Sequence, residues 1–249
     1  MINVGVVGCT GKLGRMIIKD TVNRTDIKIS EVIARKENPY VGHNISEIVG
    51  NNFDLQIIDD IEMACNCDVF IDCTNADAFI MNNYNKYRKM KKPVVIATTA
   101  FTDNDMKKIK KLAADVPVFM TGNFSVALHD FIETLCFAVK KVGNNTDIQI
   151  IEYHHNEKKD APSGTAEMIR DALIKSNNRF TKEDIKICSV RGGNIFGEHE
   201  VIFANTTDEV ITYKHSVSSR EPFAHGAIEV LIWIVSQDSG LYNMDDFCK

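Results

Sequence analysis

The 249-residue chain is 44% hydrophobic and 25% charged, the balance of an ordinary globular protein long enough for one large domain or two smaller ones. Its net charge of −5 argues against nucleic acid as a partner, because phosphate backbones want a basic face, although a local pocket for a small anion stays open. No run approaches the ~18 apolar residues of a membrane span. The start lacks the basic region and apolar core of a signal peptide, and the seven cysteines have neither framework nor zinc-ligand spacing, so reduced thiols, no metal site and a cytoplasmic location are expected.

The chain opens on "INVGVVG" (2–8), a valine-rich apolar run that reads as a buried parallel strand. "GCTGKLGR" follows, with Gly8, Gly11 and Gly14 spaced three apart, and an amphipathic helix begins at about Lys12. Such a turn brings backbone close to a ligand, and the helix start offers free N–H groups and a positive dipole end to a phosphate. The spacing predicts a dinucleotide site at Gly8, Cys9, Thr10, Gly11, Lys12 and Leu13; the alternative is a tight turn of structural use only. A P-loop is excluded, since Val6 stands where its first glycine should be and Leu13 where Ser or Thr should hold magnesium.

"IKISEVIA" (27–34) is the expected second strand, and its tip reads Ala34-Arg35-Lys36-Glu37. An acid first would favour the ribose of NAD; two cations first favour a 2′-phosphate, hence NADPH over NADH. A solvated charged loop is the plainer reading. "DVFIDCT" (68–74), "PVVIATTAF" (93–101) and "VPVFMTGNFS" (116–125) read as further strands, separated by helical stretches at 76–91 and 103–114. Strand–helix alternation implies a Rossmann-like, doubly wound parallel α/β sheet, with ligands at the carboxyl ends of its strands. Thr74, Thr98, Thr99 and Asn123 fall at those ends and, as a group, suggest the nicotinamide half of a site.

After residue 125 the rhythm changes. A long amphipathic helix closes at Gly143, a strand delivers "EYHH", and "APSGTAEMIRDALIKS" is a turn opening a helix. Segments 147–153, 185–191, 198–204 and 209–217 are expected to form one mixed or antiparallel sheet, and "FAHGAIEVLIWIVSQ" an apolar helix. In "EYHHNEKKDAPSGTA" (152–166), imidazoles that titrate near neutral pH sit beside lysines. The backbone of Ser163, Gly164 and Thr165 forms an anion cradle. The stretch reads as a receptor for a small dianion, or else as a solvated loop.

That same stretch resembles the E-x-H-H-x-x-K-x-D-A-P-S-G-T-A signature of the dihydrodipicolinate reductase family, the 4-hydroxy-tetrahydrodipicolinate reductases of lysine and diaminopimelate biosynthesis. "VGVVGCTGKLGR", "VFIDCT", "ATTAF", "TGNFSVAL", "VRGGNIFGEHEVIFA" and "SSREPFAHGAI" resemble the family's other motifs in order. The resemblance implies a nucleotide domain (1–125, completed by 219–249) and an inserted α+β substrate and oligomerisation domain (126–218) whose sheet makes a homotetramer. It implies hydride transfer from NADPH or NADH to a cyclic dicarboxylate. Carried over by position, His154 is the proton donor/acceptor, Lys158 the proton donor, and His155 with Gly164 and Thr165 holds substrate. The nucleotide would meet Gly8–Leu13, Arg35, Ala97, Thr98, Thr99, Thr121, Gly122, Asn123 and Phe124.

Three features depart from the family pattern. Ala34 stands where many members carry an acid, Ala97 and Ala100 replace the glycines of the family's GTTG, and the segment between Ser176 and Arg191 is short. Two rivals are a Rossmann dehydrogenase for another small carboxylate, such as an aspartate dehydrogenase, and a non-catalytic nucleotide sensor. The first should lack the His-His-Lys array, and the second should have lost His154 or Lys158.

Overall fold

The computed structural model describes residues 1–50, 53–143 and 145–249. The chain divides into two compact units, Met1–Phe124 with Arg220–Lys249, and Ser125–Ser219.

In the first unit β1 (Ile2–Val7), α1 (Lys12–Asp20), β2 (Ile27–Ile33), α2 (Ser46–Val49), β3 (Ile57–Ile58), β4 (Val69–Asp72), α3 (Ala76–Ala78), α4 (Tyr84–Met90), β5 (Val94–Ile96), α5 (Asp103–Ala113) and β6 (Pro117–Met120) follow one another. The strands form a seven-stranded parallel sheet in the order β11-β6-β5-β4-β1-β2-β3, whose edge strand β11 (Gly240–Tyr242) comes from the chain's end. This is the doubly wound sheet the alternation predicts. Alternate residues of each strand feed opposite faces. Val4, Val6, Ile71 and Val95 pack with Ile17 and Ile18 of α1, while Val7, Phe70, Val94 and Val118 pack with Tyr87 and Leu112 on the other face. The predicted helix at 76–91 is interrupted by a wide π turn, Phe79–Asn83. The predicted strand at 93–101 is cut to Val94–Ile96, because the chain turns at Thr98–Ala100, where Ala100 takes a φ of 66°.

The second unit holds α6 (Val126–Val139), β7 (Thr146–His154), α7 (Gly164–Ser176), β8 (Ile185–Arg191), β9 (Gly197–Asn205) and β10 (Val210–Val217). Its sheet runs β10-β9-β7-β8 and is mixed: α7 carries the chain across so that β8 lies parallel to β7, whereas β9 and β10 pair antiparallel. Leu135 and Val139 of α6, Ile169 and Leu173 of α7, and Ile148, Ile150, Val201 and Phe203 of the sheet fill the core. The chain then returns to the first unit as α8 (Glu221–Ile234), which packs on α1, and ends in α9 (Met244–Phe247). Among the described residues no helix is long and apolar enough to cross a membrane.

Candidate active site

In the first unit the carboxyl end of β1 turns at Gly8, whose φ of 82° an L side chain rarely adopts. The Gly8 and Cys9 N–H groups donate to the Ile33 carbonyl at 2.9 and 3.2 Å, which locks the turn to β2. Gly14 lies against the turn, and a Cβ there would sit 2.6 Å from the Gly8 carbonyl oxygen. Only glycine lets α1 start this close to the strand. Helix α1 has no side-chain cap, so the N–H groups at Lys12 and Leu13 are left for an anion. Cys9 points inward, is fully buried, and burial pushes its thiol up to about 12, so it shapes the turn rather than acting as a nucleophile. Thr10 Oγ1 accepts from Asn38 Nδ2 at 3.0 Å, tying the turn to the loop beyond β2.

A cavity of about 410 Å³ lies beside that turn, lined by Gly8, Ala34, Arg35, Lys36, Thr74 and Lys86 among others. Sequence reading placed Arg35 and Lys36 here; it missed Lys86, which α4 brings in and which pairs with Asp60 at 2.9 Å. A smaller cavity of about 210 Å³ is lined by Lys12, Leu13, Ala97, Gly122, Asn123, Phe124, Arg220 and Phe223. The last two come from the chain's return and were not singled out from sequence. Thr121 closes its own turn: its Oγ1 accepts from the Asn123 N–H at 3.1 Å and donates to the Asn123 carbonyl at 2.9 Å. Gly122 abuts Thr99, which is exposed. Thr98 is 6% exposed, and its Oγ1 has no hydrogen-bond partner among the described residues. An unpaired hydroxyl at a strand end and a helix start pressed on a glycine turn are what a dinucleotide needs, so the residues fit that cofactor.

Behind this wall sits Asp72, the last residue of β4, which is fully buried. Oδ1 accepts from the Thr74 N–H, and Oδ2 accepts from Asn83 Nδ2 at 2.9 Å and the Tyr87 hydroxyl at 2.8 Å. Burial pushes its pKa up, and the donors only partly offset this.

In the second unit His154 ends β7 and His155 and Lys158 follow on a turn. Lys158 Nζ pairs with Asp160 at 2.8 Å. Ser163 caps α7, its Oγ accepting from the Ala166 N–H at 3.2 Å, so the helix begins at Gly164 and Thr165. The structure therefore gathers His154, His155, Lys158 and the Ser163–Thr165 turn at one end of one small sheet, all within this unit. Sequence reading gave no role to Glu152, which lies beneath them with 0% exposure. Its carboxylate meets the His154 Nδ1 and takes both Arg191 amino groups, at 3.0 and 2.8 Å. Burial alone would raise the Glu152 carboxyl; hydrogen bonds from Arg191, Ser189 and His154 overcome it and hold the group at about 2. Burial also lowers His154, against the opposing pull of Glu152. Nδ1 faces an ionised carboxylate, which favours a proton on that nitrogen, while Nε2 lies on the other side of the ring, next to Gly197.

Two models describing the N-terminus and the C-terminus of dihydrodipicolinate reductase match residues 2–124 and 126–248. The 4-hydroxy-tetrahydrodipicolinate reductase of Caldanaerobacter subterraneus subsp. tengcongensis is 37% identical, with all of this chain and 99% of that protein covered. The one from Buchnera aphidicola subsp. Baizongia pistaciae is 34% identical over 98% of this chain and 96% of its own. In fold, the chain is similar to a dipicolinate-bound dihydrodipicolinate reductase from Paenisporosarcina sp. TG-14, with a TM-score of 0.77, 22% identity, and coverage of 98% of this chain and 97% of that one. Motifs, fold and relatives agree from end to end, and the chain belongs to the dihydrodipicolinate reductase family.

Proposed function

We propose that the protein reduces 4-hydroxy-tetrahydrodipicolinate to tetrahydrodipicolinate with NAD(P)H, in the diaminopimelate route to lysine. The observation that carries the reading is the array of His154, His155, Lys158 and the Ser163–Thr165 turn at one end of β7, in a chain of this family. A bound dinucleotide supplies the hydride. The N–H groups at the start of α1 would hold its pyrophosphate, and Thr98, Thr99 and the Thr121–Phe124 turn would orient its nicotinamide. Two cations at the β2 tip, Arg35 and Lys36, favour the 2′-phosphate of NADPH over NADH.

Gly164 and Thr165 N–H groups take one substrate carboxylate, and His155 and Lys158 take the other. In sum the 4-hydroxyl leaves as water while one hydride and one proton enter; as electron density reaches the ring, Lys158 supplies that proton and His154 exchanges it through Nε2. A dianion lying over His154 raises its pKa again, reversing the effect of burial in the free protein. The protein works as a cytoplasmic homotetramer paired through the face of the β10-β9-β7-β8 sheet that bears the exposed Cys188 and Val190.

The test is a steady-state assay of NADPH and of NADH oxidation, with substrate made in place from pyruvate and aspartate semialdehyde. His154→Gln and Lys158→Met should lower kcat by about 10²-fold or more while cofactor affinity holds. Folded protein that binds nucleotide yet oxidises neither cofactor would remove the reading in favour of another carboxylate or a sensor.

A further inference from the structure

Glu152 sits at the centre of a row that crosses the whole second sheet. Its register partners are Ser189 on β8 and His199 on β9, and His199 lies opposite His215 on β10. One carboxylate oxygen, Oε2, reaches His154 Nδ1 and an Arg191 amino group; the other, Oε1, reaches the second Arg191 amino group and the Ser163 N–H at 3.2 Å. A single rigid anion thus touches the imidazole from below and the turn that opens α7 from behind. Arg191 donates on to the Asp160 carbonyl at 2.7 Å, so the loop carrying Lys158 hangs from the same pair.

We propose that Glu152 is a positioning residue: its carboxylate fixes the Nδ1–H form of His154 and, through the Ser163 N–H, sets the distance between that imidazole and the Gly164–Thr165 cradle. The proposal rests on His154 being the proton-exchanging group. A donor to Nδ1 could hold the ring in place, but only an acceptor there keeps Nε2 able to take and return a proton. Geometry leaves little else for the job. The groups facing the ring are Lys158 from the turn, Arg191 from β8 and His199 from β9, whose ring centroid lies 5.5 Å away, with His215 behind it on β10. All of these are cations or imidazoles. Of the other acids on neighbouring segments, Asp160 is paired with Lys158 and Glu198 with Lys214. His199 is 4% exposed; its Nε2 lies 3.4 Å from Ser163 Oγ and its Nδ1 has no hydrogen-bond partner among the described residues, so it packs the turn without bonding to His154.

Glu152→Gln keeps size and shape but has one acceptor oxygen. Arg191 and the Ser163 N–H both need that oxygen, which turns the amide NH₂ toward His154 and forces its proton onto Nε2. The expected result is a kcat lowered by about 10²-fold with the KM for dinucleotide changed less than about twofold, because the nucleotide site lies in the other unit. The limb of the pH profile that belongs to His154 should move about one unit lower, since an anion that favours the imidazolium has gone. Glu152→Asp, which keeps the charge, should recover most of the turnover and restore the limb. A purely structural role would lower stability without moving either the limb or the tautomer.

The direct readout is a nitrogen-15 spectrum of the histidine rings, with His154 assigned by its loss in His154→Gln. The unmodified protein should show Nδ1–H and Glu152→Gln should show Nε2–H. An Nε2–H ring in the unmodified protein overturns the proposal even if no Glu152 variant folds. So does a Glu152→Gln enzyme within about threefold of normal kcat when His154→Gln is inactive. If His154→Gln itself retains near-normal kcat, the failure lies in the role given to His154 and not in Glu152.

Discussion

Ala100 offers a clean test of how this chain departs from its family. The family's glycine at the end of the GTTG turn is replaced here by alanine, yet the backbone keeps the left-handed conformation, with φ 66°. Cβ then crowds the carbonyl, at a cost of about 1–2 kcal/mol. Ala100→Gly should relieve that cost and lose about 0.4–1 kcal/mol of it to the greater freedom of glycine in the unfolded chain. Because Ala100 is exposed, no packing is lost with the methyl group. The net expectation is a gain of about 0.5–1 kcal/mol, or a rise of roughly 1–4 °C in Tm for a chain of this size. Urea unfolding is the assay, read as a shift of midpoint at constant slope in the transition of the first unit, since the two units need not unfold together. Ala100→Val should move the midpoint the other way by more than about 1 kcal/mol, a β-branched side chain being worse still at positive φ. A lower midpoint for Ala100→Gly, or no change for Ala100→Val, would refute the claim that this turn is strained.

Arg35→Ala combined with Lys36→Ala should raise the KM for NADPH about tenfold or more and leave that for NADH within about twofold, as measured by initial rates; equal losses with both cofactors would remove the 2′-phosphate from the argument. Arg191→Met leaves the Glu152 charge buried without its guanidinium and should cost about 3–5 kcal/mol in urea unfolding, while adding Glu152→Gln should recover at least half of that. The carboxyl of Glu152 falls from its ordinary 4.5 to about 2, so its contribution, on the order of 3 kcal/mol, is complete above pH 4.5 and is lost as pH falls toward 2. Unfolding curves of Glu152→Gln should therefore flatten across that window relative to the unmodified protein. Tyr87→Phe removes a fully buried donor 2.8 Å from Asp72 Oδ2 and should lower stability by about 1.5–3 kcal/mol; a neutral result would show that Asp72 does not depend on it.

The parts of this molecule that are legible in the sequence are the parts whose causes are local. "INVGVVG" and its glycines specify strand, turn and helix within fifteen residues, and Ser163 announces the start of α7 by its position before Gly-Thr-Ala. The β2 tip displays its cations without any help from the fold. By contrast, Glu152 becomes a positioning group only when β8 lies parallel to β7 in a register that sets Arg191, 39 residues away, beside the end of the strand. Asp72 reads as a polar strand end until the π turn brings Asn83 and α4 brings Tyr87 onto it. Arg220 and Phe223 reach the cavity beside Lys12 and Leu13 only because the chain returns to its first unit. The strand predicted over 93–101 is overextended because its apolar run continues past the point where the two threonines turn the backbone, and a strand of three residues such as β11 is too short to show a period.

The two buried carboxylates show why these long-range contacts decide the chemistry. Asp72 and Glu152 both end up with 0% exposure near the carboxyl ends of central strands, so burial pushes both toward the neutral form. Their environments then separate them. Asp72 is answered by a backbone N–H, two hydroxyls and an amide, all uncharged, and its pKa stays raised. Glu152 is answered by a bidentate guanidinium, and its pKa is driven down. Each outcome suits its place. At the end of β4, paired with Val7 beside the Gly8 turn, only uncharged donors meet the carboxyl, and no cation is drawn into that wall. At β7 the proposed role of His154 requires the anion, because it keeps the ring proton at Nδ1 while the opposite nitrogen exchanges with a ligand. Isosteric replacement should therefore separate the two sites: aspartate to asparagine at 72 changes mainly stability, whereas glutamate to glutamine at 152 changes mainly turnover.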